Sequence, residues 1–127
     1  MDTREIDALI AEKVMGWKLS KQQISIEGWA DVWRNEDGEI MAYDREWKPT
    51  SEISDAWQVE EKIHSEAGPE IAAYIVALNE ITFGDFYAGR ALDNYGTLWR
   101  MVHASPLNRC LAALEAVGVE VQTLLRP

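Results

Sequence analysis

Ser105-Pro106-Leu107-Asn108-Arg109-Cys110-Leu111-Ala112-Ala113-Leu114-Glu115-Ala116-Val117-Gly118 carries its own start and stop. The Ser105 hydroxyl can accept from the unpaired N–H groups of a first helical turn, and Pro106 has no N–H to leave unpaired there. Gly118 can take the positive φ that ends a helix. Between these signals Leu107, Cys110, Leu111, Leu114 and Val117 recur at helical spacing, so the segment has one apolar face. A helix of this kind must bury its stripe against another layer, and the rest of the chain has to supply it.

Working back from this helix, Leu98 to His103 reads as a strand. Thr82 to Gly96, broken by Gly84, Gly89 and Gly96 among Asp, Asn and aromatic residues, reads as a long loop or irregular hairpin, the kind of segment that carries function. Glu70 to Asn79 stays open. Ile71, Tyr74, Ile75 and Leu78 fit a short helix, whereas Tyr74-Ile75-Val76 alone fits a buried strand. Before it, Pro49-Thr50-Ser51 offers hydroxyl caps, and Ile53, Ala56, Trp57, Val59 and Ile63 form a helical stripe ending near Gly68-Pro69.

Gln22 to Tyr43 has the character of a hairpin. Ile24 and Ile26 alternate, Ala30, Val32 and Trp33 lead into Asn35-Glu36-Asp37-Gly38, and Ile40, Ala42 and Tyr43 follow. Trp33 stands where a calcium loop would need its first carboxylate, so the Asp-Gly pair reads as a turn. At the start, Asp2 can cap a helix with Glu5 at its third position, and Ile6, Leu9, Ile10, Val14 and Trp17 form its stripe until Gly16 stops it. Helices that each bury one stripe against an antiparallel sheet give an α+β fold, expected here as one domain over residues 1–127.

Three blocks carry a family resemblance. They are Ile6-Asp7-Ala8-Leu9-Ile10-Ala11-Glu12-Lys13-Val14-Met15-Gly16-Trp17, then Trp47-Lys48-Pro49-Thr50-Ser51 with Ile53-Ser54-Asp55-Ala56-Trp57-Gln58-Val59-Glu60-Glu61-Lys62, and the closing Ser105 to Gly118 helix. In this order and spacing the chain resembles the phage ABA-sandwich domain family. The resemblance implies a small phage or prophage protein with an antiparallel sheet layered between helices, an α/β/α sandwich. It transfers no catalytic residue.

Charge narrows the partners. Twelve basic residues against twenty-two acidic ones give a net charge of −10, and no cluster of cations is denser than the loose pair Lys18 and Lys21. A phosphate backbone is repelled by such a chain, so direct nucleic-acid binding is not expected. The opening residues lack the basic and apolar regions of a signal peptide, and no apolar run approaches a membrane span. With a lone cysteine, Cys110, no internal disulfide can form. The expected setting is the cytoplasm of an infected bacterium, without membrane contact.

The residues for catalysis are sparse, and the chain is expected not to be an enzyme. Cys110 sits on an apolar stripe, where a thiol behaves as a small core residue. Glu61 and His64 supply half of a carboxylate-bridged metal site, but no second pair completes it. His103 lies between a strand and a helix cap. Gly84-Asp85-Phe86-Tyr87-Ala88-Gly89-Arg90 has neither the spacing nor the lysine of a phosphate loop. No metal and no cofactor are expected.

Aromatics are the unusual feature. Of six tryptophans, Trp17 and Trp57 fit helical stripes and are expected in the core. Trp29, Trp33, Trp47 and Trp99 fall on or beside proposed strands, where alternation sends some outward near Arg45, Arg90 or Arg100. Arg90, Tyr95, Trp99, Arg100 and Trp47 are therefore the expected contacts to a small anionic ligand, such as a signalling nucleotide held by stacking and charge-assisted hydrogen bonds. Trp99 and Arg100 are neighbours on a strand and point to opposite faces, so a complete pocket calls for a homo-oligomer. The expected role is sequestration of such a ligand against host defence. The alternative is an acidic inhibitor or DNA mimic that presents Asp31, Glu36, Asp37, Glu39, Asp44 and Glu46 to a basic host protein. A third is an accessory protein that only self-associates.

Overall fold

A computed structural model describes residues 2–66, 69–83 and 104–120. The first helix, α1 (Thr3–Leu9), starts where the caps require: the Asp2 carboxylate accepts from the Glu5 N–H at 2.9 Å. Its continuation, Ile10–Val14, widens into a π-helical turn, with the Met15 N–H donating to the Ile10 carbonyl at 3.0 Å. Gly16, at φ 75°, then lets the chain leave the helix. The wider turn is a tertiary adjustment that helical periodicity does not reveal.

Three strands follow: β1 (Lys18–Gln23), β2 (Trp29–Arg34) and β3 (Ile40–Tyr43), in one antiparallel sheet of order β1-β2-β3. The turn after β2 forms as its residues dictate. Asn35 Oδ1 accepts from the N–H groups of Asp37 at 3.0 Å and Glu39 at 2.9 Å, and Gly38 takes φ 81°. The extended region nonetheless begins earlier than its hydrophobic pattern implied, at Lys18 rather than Gln22. Ile24 and Ile26 are not strand residues but occupy the β1–β2 turn, where Ile26 is 94% exposed. Two alternating isoleucines suffice for a strand pattern but do not say whether a layer covers them.

The helix α2 (Ile53–Glu66) forms over the expected span, and α3 (Pro69–Phe83) resolves the ambiguous segment as helix with Pro69 in its first turn. The closing helix α4 (Pro106–Ala116) has the forecast caps. Ser105 Oγ accepts from the Asn108 N–H at 3.1 Å. At the other end Gly118, at φ 93°, donates to the Glu115 carbonyl and Val119 to the Leu114 carbonyl, which satisfies two terminal acceptors at once. The strand expected over Leu98 to His103 and the body of the Thr82 to Gly96 loop lie outside the described residues.

The architecture is α+β. Cys110, Leu111 and Leu114 of α4 meet Ile6 and Ile10 from the first helix, Val59 and Ile63 from α2, and Tyr74, Ala77 and Leu78 from α3. The sheet joins this core through Trp33, with Ala42 opposite it in the register. Val32, next to Trp33 and so on the other face, is also buried, and the Arg34 guanidinium spans Ser20 Oγ, Gln22 Oε1 and the Gly38 carbonyl. Arg34 is thus engaged within the sheet.

Candidate functional site

α2 carries the site because its three faces have three different surroundings. Ala56, Val59 and Ile63 face the core. Gln58, Glu61, Lys62 and Ser65, at helical spacing, form one wall of a groove of about 670 Å³ whose opposite wall is the hairpin tip, Asn35-Glu36-Asp37, with Met41. The register skips Met41 between the pairs Trp33–Ala42 and Arg34–Ile40, so this bulge leaves its side chain at the groove, where Sδ accepts from Asn35 Nδ2 at 3.4 Å. The groove is acidic, with Glu36, Asp37 and Glu61 set against Lys62.

The third face of α2, Trp57, Glu60, Glu61 and His64, meets Ile71, Tyr74 and Ile75 of α3 around a second depression of about 450 Å³. Its lining is mainly apolar. Trp57 is 56% exposed there, contrary to the core position expected from its helical stripe. Shared periodicity puts Trp57 with the apolar residues of α2, but no described layer reaches that edge. Glu61 borders both depressions.

Beneath the second depression lies a polar cluster that the sequence did not reveal. Arg109 of α4, 5% exposed, donates from one guanidinium nitrogen to both carboxylate oxygens of Glu60 at 2.8 Å, and its Nε donates to the Ala104 carbonyl at 3.1 Å. The Tyr74 hydroxyl donates to the same Glu60 carboxylate at 3.0 Å. Three helices are thereby tied at one carboxylate. Burial, followed by the neighbouring Glu60 charge, pushes the Tyr74 phenol upward, so it stays a donor. The i, i+4 spacing of Tyr74 and Leu78 on a buried face was the available signal, but the pairing of residues 49 positions apart was not.

Of the expected ligand contacts, Arg90, Tyr95, Trp99 and Arg100 lie outside the described residues, as does His103. Trp47 is placed in the core, 4% exposed, not on an outer face where a ligand could stack on it. Its indole N–H donates to the Asp7 carbonyl at 3.1 Å and its ring lies 4.8 Å from that of Trp17. Trp33 is likewise buried, donating to Asp44 at 3.0 Å, whereas Trp29 is 62% exposed. Arg45 lies 5.7 Å from the centre of the Tyr43 ring, the one described case of the expected pairing of arginine with an aromatic.

The acidic set is also divided by its contacts. Asp31 pairs with Lys21, and Asp44 is shared between Trp33 and Arg4. Glu36, Asp37, Glu39 and Glu46 stay exposed, the first three around the hairpin tip. Cys110 is fully buried, and burial, with Asp7 and Asp55 nearby, pushes its thiol upward, away from thiolate chemistry. His64 is exposed on α2. No group of three or more potential metal ligands gathers among the described residues.

The three strands, α2, α3 and the Ser105 cap fall within a match of residues 8–114 to the Phage ABA sandwich domain. The chain therefore belongs to the phage ABA sandwich domain family and is a phage protein. No curated protein and no solved structure matches it. No described helix is long and apolar enough to cross a membrane.

Proposed function

We propose that this phage protein acts by binding rather than catalysis, and that it engages a basic protein of the infected cell. One observation carries the reading: an acidic groove and an apolar depression adjoin along α2 and share Glu61. Apolar area drives association, while surrounding carboxylates select a cationic partner and speed encounter. The inaccessible Cys110 thiol and the use of Arg34 and Arg109 in internal hydrogen bonds support the same direction. The nucleotide-sequestering alternative depends on Arg90, Tyr95, Trp99 and Arg100, and on a second subunit to complete their pocket.

Cross-linking mass spectrometry in host lysate tests the proposal, using the parent and a folded Glu36→Lys/Asp37→Lys/Glu61→Lys variant. The expected result is a discrete basic protein cross-linked near α2 and the hairpin tip in the parent and lost in the variant. Absence of such cross-links, with calorimetric binding of a cyclic or linear nucleotide recovered intact, would replace this reading by sequestration. Recovery of a converted nucleotide would make the protein an enzyme.

A further inference from the structure

α3 is apolar on more of its circumference than its core contacts use. Tyr74, Ala77 and Leu78 are buried, yet Ile75 is 38% exposed beside the half-exposed Trp57 of α2, and Val76 is 55% exposed. A helix apolar on several sides is normally covered on several sides. Among the described residues no layer covers this strip, and its rim is charged, with Glu61 on one border and the acidic hairpin groove beyond it.

Resting on the protein-directed reading above, we propose that the α2–α3 depression receives a basic amphipathic helix of the partner. Its apolar residues enter between Trp57, Ile71 and Ile75, and its Lys or Arg residues face Glu61, Glu36 and Asp37. The walls have the periodicity this mode requires, Trp57, Glu60, Glu61 and His64 on α2 against Ile71, Tyr74 and Ile75 on α3. Charge selects the occupant. A second copy would bring the same acidic rim and the same net charge of −10 to the contact. The floor is firm, since Glu60 of α2 accepts from both Tyr74 of α3 and Arg109 of α4.

The probe is a labelled synthetic helix with Leu at positions i, i+3, i+4 and i+7 and Lys on the flanks. It is titrated by fluorescence anisotropy beside a scrambled peptide of the same composition and a version with Glu for Lys. Saturable binding with one peptide per chain is expected, with both controls weaker by about tenfold or more. Trp57→Ala and Ile75→Ser, checked by circular dichroism, should each weaken binding by about tenfold, since both sites are surface positions that the fold tolerates. Equal binding of the scrambled peptide, or unchanged affinity in both variants, overturns the proposal. So does sedimentation that finds a dimer dissolved by Trp57→Ala, which would assign the face to a second copy. Host-protein cross-links that need Glu36, Asp37 and Glu61 but not Trp57 would remove this inference and leave the proposed function standing; loss of both would remove both.

Discussion

Two carboxylates anchor this fold in contrasting ways. Asp7, on the first helix, is 8% exposed and accepts from the Thr50 backbone N–H at 2.9 Å, with no cation pairing it among the described contacts. Burial raises its carboxyl above the usual range; the Thr50 hydrogen bonds oppose this, and Asp55 and Asp44 add to it. Glu60 instead meets a guanidinium and a phenol while its side chain keeps 34% exposure. The first arrangement holds a loop against a helix at an electrostatic cost. The second balances charge and ties three helices beneath a candidate binding surface. A carboxylate can be structural in both settings, but only the paired one loses a countercharge when a neighbour is removed.

The largest expected effect breaks the paired side. Arg109→Ala leaves Glu60 and the Ala104 carbonyl without their donor and should cost about 3 kcal/mol in urea unfolding, the low end for a broken buried pair because Glu60 is partly hydrated. A loss below about 0.5 kcal/mol would show that the pair holds nothing together. On the other side, Trp47→Phe removes the donor to the Asp7 carbonyl and part of the Trp17 contact, and about 1–3 kcal/mol should be lost. Tyr74→Phe is milder, about 1 kcal/mol, because Glu60 retains Arg109.

Asp7→Asn has the smallest effect and sharpens the comparison through its pH dependence. Asparagine keeps an oxygen for the Thr50 N–H but carries no charge. The folded Asp7 carboxyl holds its proton to higher pH than the unfolded one, so its contribution is most favourable below 3.8 and is lost as pH rises through the folded value. The variant should therefore equal or exceed the parent at pH 7, with that advantage vanishing below pH 3.8. Paired denaturant curves at pH 7 and pH 3 check this. A variant less stable than the parent by more than about 1 kcal/mol at pH 7 would mean that the charged hydrogen bond outweighs burial.

The difference between local and distant contacts also explains what could be read in advance. Asp2 before Glu5, Asn35 before Gly38, and Ser105-Pro106 before Gly118 place their elements because each cap or turn closes over a few residues of chain. α3 was harder, since Tyr74-Ile75-Val76 is apolar on every side and periodicity loses its contrast. At the candidate site, Glu61 and His64 could be put on one helix face from spacing alone. That Trp57 stands open beside them, while Trp47 is closed off against Trp17, could not.

By itself the sequence determined the capped first and last helices, the Asn35–Gly38 turn, the acidic balance and the family blocks. All are either additive over the chain or set by neighbours within a turn. The tertiary structure alone decided which tryptophans are covered, that the first helix widens at Ile10–Val14, and that Arg109 and Tyr74 both reach Glu60. A stripe specifies which side chains share a face, but how much of that face is buried, and which distant charge meets it, depends on the position of every layer packed around it.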